Sequence, residues 1–108
     1  MRYDFSADSD GTVTISLAGE LDIRAVPALE AALAPTMAER PARVVIEASA
    51  LEFADSSAIA LFVRWGNLAR HLEIRDSPPF LRAHILRMGL THRIALGPAP
   101  GTPTPEPT

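Results

Sequence analysis

Cysteine and lysine are both absent from this sequence, and glycine and aromatic residues are few. Without cysteine, the chain can form no disulfide bond, no thiolate zinc site and no cysteine nucleophile. All ten basic residues are arginine and thirteen residues are acidic, so the net charge is −3. This charge argues against a nucleic-acid partner, which needs a cationic field. No apolar run approaches the ~18 residues of a membrane span, so we expect no membrane partner.

The composition is typical of a globular chain, with 47% apolar and 21% charged residues. At 108 residues there is room for one sizeable core. We expect a single domain over residues 1–97 and, because prolines cluster after it, a flexible tail over residues 98–108. The first residues include no apolar segment of the kind that exports proteins. Together with the lack of cysteine, this predicts a cytoplasmic location.

Strands are predicted wherever polar and apolar residues alternate. Arg2–Ser6 and Thr12–Gly19 both alternate, and the turn residues between them favour an antiparallel hairpin. The continuous apolar run Val44–Ile46 is typical of a central strand covered by helices. Two more strands are predicted, at Leu72–Arg75 and at Arg93–Leu96.

Helical periodicity separates these strands. Apolar residues recur on one face of Val26–Arg40, where Pro35 predicts a kink, and a broader apolar face runs through Ser56–Arg70. A third helix is predicted over Pro79–Met88 with Ser77 as its cap. The fold class is therefore α/β, with a mixed β-sheet of four or five strands and helices packed against it. The residues expected in or beside the core are Val13, Ile15, Leu17, Val45, Leu61, Phe62 and Trp65.

Motifs for catalysis and cofactor binding are missing. The three histidines, His71, His84 and His92, have no metal-ligand spacing, so we expect no metal site. Nothing resembles a nucleophile elbow or a glycine-rich phosphate loop. The sequence therefore predicts a protein that is not an enzyme and that needs no cofactor.

The most informative stretch is Asp55-Ser56-Ser57, which precedes the strongest helical pattern. One interpretation is an N-cap, whose oxygens accept hydrogen bonds from free helix amides and stabilise the fold by about 0.5–2 kcal/mol. The other is a phosphorylation site, because the amides and the dipole at a helix N-terminus favour negative charge. The residues alone leave both open.

Three segments carry motifs in a recognisable order. Val13–Asp22 is a strand that ends in Gly-Glu-Leu-Asp, Val44–Ile59 joins an apolar strand to Asp-Ser-Ser-Ala, and Asp76–Leu90 is a predicted helix followed by Gly-Leu. In this order and spacing they resemble the STAS domain, the family of bacterial anti-sigma factor antagonists and sulfate-transporter C-terminal modules. The likeness extends between residues 3 and 96.

The resemblance implies an anti-sigma factor antagonist that binds a serine kinase of the histidine-kinase-like ATPase fold. It also implies that phosphorylation of Ser56 ends this binding, with a serine phosphatase as a further partner. Asp22, Asp55, Ser57 and Ala58 would then form the partner-binding surface.

One departure from the family pattern concerns this surface. Ala58 replaces the glycine of the family's Asp-Ser-Ser-Gly motif, and we expect its methyl group to hinder a closely approaching partner. The alternative function is a STAS adaptor subunit, of a lipid-transport ATPase or a larger regulatory assembly, in which Ser56 is not phosphorylated. A small serine-dependent enzyme is the third hypothesis.

Overall fold

Five strands form one mixed sheet in the order in which they occur along the chain. The computed structural model describes residues 1–97, so the tail predicted over residues 98–108 lies outside the described part. The elements are β1 (Arg2–Ala7), β2 (Thr12–Leu21), α1 (Val26–Ala38), β3 (Arg43–Ala54), α2 (Ser56–Leu68), β4 (His71–Arg75), α3 (Pro79–Arg87) and β5 (Ala95–Leu96). The predicted α/β fold class is confirmed.

The strand pairing explains why the helices are where they are. β1 and β2 form the predicted antiparallel hairpin, with Arg2 opposite Ala18 and Ala7 opposite Val13. Each later strand pairs in parallel with the one before it. A parallel pair needs a crossover connection, and a helix supplies it each time. Buried residues of all three helices join one core cluster with alternate residues of the strands, so the helices lie on the same face of the sheet.

The core lies between that face and the helices. Val13, Ile15 and Leu17 are alternate residues of β2, and all three are buried as their spacing predicts. From α2, the rings of Phe62 and Trp65 pack together with their centroids 6.1 Å apart. Every residue expected in the core is buried, including Val45 and Leu61.

The opposite face of the sheet is polar. Glu73 of β4 bonds to Arg43 of β3, with 2.9 Å between the carboxylate and guanidinium atoms, and also to Arg75. Arg75 lies in turn 3.7 Å from Glu47. Val45 lies on this face beside Glu73 and is still only 1% exposed. Ion pairs and their side-chain stems therefore cover the face that the helices leave open.

Two local predictions differ from the structure. β3 runs to Ala54, well beyond the predicted Ile46, because its second half continues beside β2 although its residues lack an apolar run. The cap predicted at Ser77 is wrong, because Pro78 holds the N-cap position without a side-chain bond, and among residues 1–97 the buried Ser77 hydroxyl has no hydrogen-bond partner.

Within residues 1–97, no helix is long and apolar enough to cross a membrane.

The proline inside α1 gives a stability prediction. Pro35 has no amide proton to donate and its ring crowds the preceding turn, which opposes helix formation. Pro35→Ala should therefore raise the free energy of unfolding, by about 1–3 kcal/mol. Pro27→Ala, in the first turn where proline is well tolerated, is the matched control and should change it little. Denaturant titration measures both, and a loss of stability in Pro35→Ala would contradict the prediction.

Candidate functional site

The site is built where β2 and β3 end. Because parallel strands run in the same direction, the carboxyl ends of these neighbours meet at one edge of the sheet. Gly19 stands at a positive φ of 90°, which glycine tolerates, and the β2–β3 register shifts directly after it. The shifted strand then ends with Leu21 opposite Ala54, so Asp22 and Asp55 follow two paired positions.

Asp55 is the N-cap of α2. Its Oδ1 atom accepts hydrogen bonds from the amides of Ser57, at 3.0 Å, and Ala58, at 3.2 Å. The Ser57 hydroxyl donates a further bond to the same oxygen. The capping interpretation of the Asp-Ser-Ser stretch is therefore correct, and the residue that caps is Asp55.

The second oxygen of Asp55 reaches the loop between β2 and α1. Oδ2 accepts the amide of Ile23 at 3.1 Å, and the amide of Asp55 donates to the carbonyl of Leu21 at 3.4 Å. One carboxylate thus joins two segments that are 32 residues apart in the sequence. The position of the loop and the position of the helix start depend on each other through it.

These hydrogen bonds keep Asp55 ionised. Partial burial acts to raise the pKa of Asp55, but the bonds from the Ser57 hydroxyl and from the amides of Ala58, Ile23 and Ser57 outweigh it. The net result is a pKa below the ordinary value of an aspartate. A fixed negative charge therefore stands at the start of α2.

Asp22 organises the same loop from the other side. Its Oδ1 atom accepts the amides of Arg24 and Ala25, each at 3.0 Å. Ala25 is the N-cap of α1 and has no side chain that caps, so Asp22 supplies the missing acceptor. The Arg24 guanidinium lies 4.0 Å from Asp22 on a side chain that is 91% exposed, and such a pair stabilises little.

The two serines of the motif differ in their surroundings. Ser56 is exposed, and among residues 1–97 its hydroxyl has no hydrogen-bond partner, whereas Ser57 is half-buried and its hydroxyl is bound to Asp55. Ala58 is fully buried. Its methyl group therefore lies in the core, contrary to the expectation that it stands where a partner approaches, and it acts on the surface only through the position of the helix start.

Ile23 is a surface residue that sequence reasoning missed. Its side chain is 69% exposed although its amide is held by Asp55. Phe53, near the end of β3, is 46% exposed. The available signal for Ile23 was an apolar residue between two charged ones, outside any strand or helix, directly after the Gly-Glu-Leu-Asp segment.

Comparisons with known proteins fit this geometry. The chain is 35% identical over 74 residues to the anti-sigma-F factor antagonist RsfB of Mycobacterium tuberculosis, in an alignment that covers 59% of this chain and 61% of RsfB. The chain thus spans about three fifths of the curated relative that it matches.

Solved structures extend the likeness. A crystal structure of an anti-sigma factor antagonist from Mycobacterium paratuberculosis matches with a TM-score of 0.76 and 27% identity, over 91% of this chain and 87% of that chain. The anti-sigma factor antagonist SpoIIAA in its unphosphorylated form matches with a TM-score of 0.69 and 20% identity, over 95% and 90%. At that identity, the SpoIIAA match shows the fold alone.

The protein family described as "Mlab, STAS domain" matches residues 5–98 of this chain. This range includes all three segments that carry the resemblance, and it spans most of the sequence. The resemblance is therefore confirmed, and the chain belongs to the STAS domain family.

Proposed function

We propose that the chain is an anti-sigma factor antagonist, a regulatory binding protein rather than an enzyme. It binds an anti-sigma factor serine kinase, and phosphorylation of Ser56 ends the binding. The observation that carries this proposal is the exposed Ser56 hydroxyl at a helix start that Asp55 already caps. Because the Ser56 hydroxyl has no hydrogen bond to lose within the described part of the chain, a kinase can modify it without weakening the fold.

The binding surface surrounds this hydroxyl. Ile23 offers an exposed apolar side chain on a loop that Asp55 and Asp22 hold in place. Apolar anchors that are fixed before binding lose little conformational freedom on association. We therefore assign Ile23 to the partner contact and the two aspartates to positioning it, with Ser57 supporting Asp55.

A phosphate on Ser56 would change this surface electrostatically. It adds about −1.5 to −2 charges at neutral pH, next to an Asp55 that is already ionised. The amides of Ser57 and Ala58, which would otherwise attract it, are engaged by Asp55. The added charge thus meets repulsion and must be desolvated when a partner docks, and both effects weaken the complex.

The adaptor function is the second candidate, because the family match shows the STAS domain and not the partner that it binds. In an adaptor, the same loop and helix would dock on a transporter ATPase, and Ser56 would remain unmodified. Affinity capture from the host separates the two functions. A bound kinase of the histidine-kinase-like ATPase fold supports the antagonist, whereas a bound transporter ATPase supports the adaptor.

Site mapping tests the modified residue. Incubation with the captured kinase and ATP should place one phosphate on Ser56 and none on Ser57, because the Ser57 hydroxyl is bound to Asp55 and half-buried. Mass spectrometry identifies the site, and Ser56→Ala should abolish the modification. Phosphate on Ser57 alone, or none with a kinase active on another substrate, contradicts the proposal.

Substitutions at Ser56 should separate binding from stability. Ser56→Ala should change the free energy of unfolding by no more than about 0.5 kcal/mol, because the cap is Asp55, and it should still bind the kinase. Ser56→Asp should be about as stable, since a carboxylate suits the first turn of a helix, but its affinity should fall about tenfold or more. Thermal melting and calorimetric titration with nucleotide present measure these effects, and undiminished affinity in Ser56→Asp favours the adaptor.

The ionised Asp55 carboxylate should raise the free energy of unfolding, and acid should remove this contribution. Its pKa is lowered by folding, so its contribution is complete above the ordinary value of 3.8 and is lost as the pH falls through the lower folded value. Asp55→Ala should cost about 1–2 kcal/mol at neutral pH, and Asp55→Asn should flatten the acid limb of stability. Denaturant titrations across this pH range test it. Glu52→Gln, which removes an exposed carboxylate, is the control, and an equal effect there would refute the assignment.

A further inference from the structure

β1 lies at the edge of the sheet with one side unpaired. Within residues 1–97 it pairs only with β2, in a register that is uninterrupted over six residue pairs. The strand contains neither a proline nor a bulge, two common means by which edge strands avoid further pairing. Its outer backbone groups therefore form a template for another strand.

The hairpin geometry identifies those outer groups. The amide of Asp8 donates to the carbonyl of Thr12 at 3.0 Å, so the even-numbered residues of β1 direct their backbone bonds toward β2. The amides and carbonyls of Tyr3 and Phe5 consequently point away from the sheet, where a second strand can bond to them.

The side chains of β1 divide into an apolar and a charged face. Met1, Tyr3 and Phe5 lie on one face and are 41%, 44% and 39% exposed; they account for three of the eight exposed large apolar residues of the described chain. Arg2 and Asp4 lie on the other face and form no ion pair within residues 1–97. The apolar side chains are thus only partly covered, and the two charges are unpaired among these residues.

We propose that β1 pairs antiparallel with β1 of a second copy of this chain, with Tyr3 opposite Tyr3. A two-fold symmetric contact must be self-complementary, and the order of charges on this strand meets that condition. With Tyr3 at the centre, Arg2 of each copy faces Asp4 of the other, and Met1 faces Phe5. The pairing thus contains two opposite-charge contacts and an apolar strip.

Other registers of the same pairing fit less well. The two copies must keep the same side chains on the same face of the joined sheet. The allowed registers are therefore those in which one residue of β1 lies opposite the same residue of the other copy. Centring on Asp4 would set two like charges opposite each other. Centring on Phe5 would place Asp4 opposite Ser6, which carries no charge. It would also place Arg2 opposite Asp8, whose carboxylate already accepts a hydrogen bond from the amide of Thr12 in the turn. Charge complementarity therefore favours Tyr3 as the centre.

Charge reversal tests this pairing, using the 108-residue chain without an N-terminal tag in sedimentation equilibrium over a wide concentration range. The unmodified chain should self-associate. Arg2→Asp and Asp4→Arg should each weaken self-association by about tenfold or more, because two opposite-charge contacts become two like-charge contacts. An equimolar mixture of these two variants should associate again, because each aspartate of one variant then faces an arginine of the other. The double variant should recover self-association for the same reason.

A backbone variant tests the hydrogen-bonding edge. Tyr3→Pro removes an amide that points away from β2, so the hairpin should persist while pairing with a second copy is blocked. Circular dichroism checks that each variant folds, and the charge variants remain informative if Tyr3→Pro does not fold. A monomer at every concentration, or self-association insensitive to the charge reversals and not restored in the mixture, would overturn the proposal. The result does not depend on whether Ser56 is phosphorylated or on which partner the chain binds.

Discussion

The hydrogen bonds of the Asp55 carboxylate hold the functional edge of the molecule together. One oxygen fixes the first turn of α2 and the other fixes the loop that leaves β2. Within residues 1–97, no other side chain forms hydrogen bonds to both segments. Because both segments bond to the same carboxylate, the positions of Ser56 and Ile23, which are both exposed, are fixed relative to each other. The core sets the strands and helices in place, but this carboxylate sets the surface on which the proposed function depends.

Adjacent residues at the start of α2 have separate tasks. Asp55 caps the helix, Ser57 supports the cap with its hydroxyl, and Ser56 does neither. The proposed modification of Ser56 would therefore act on the surface and leave the helix start intact. A chain in which the modified residue was also the cap would couple every change of binding to a change of stability.

Most of the fold was predictable because local periodicity and burial agree. β2 alternates over Thr12–Leu17 between buried residues and residues that are half-buried or exposed, and α2 keeps one broad apolar face against the sheet. The second half of β3 was not predictable, because Glu47 and its successors lie beside β2 without an apolar run. The chemistry of the motif indicated a cap but not which residue supplies it, since aspartate and serine are both favoured N-caps. The exposure of Ile23 follows from a contact between distant segments, which no local pattern encodes.

The charged network on the open face of the sheet affects how copies of the molecule can meet. Glu73 lies between Arg43 and Arg75, and Arg75 also faces Glu47, so that the sign of the charge alternates across β3 and β4. Stacking this face on another sheet would strip water from four charged groups that are already paired with one another. Face-to-face stacking is therefore strongly disfavoured, although no helix of residues 1–97 covers this face. The ion pairs act as a barrier against aggregation through the broad side of the sheet and leave its narrow edge as the route for strand addition.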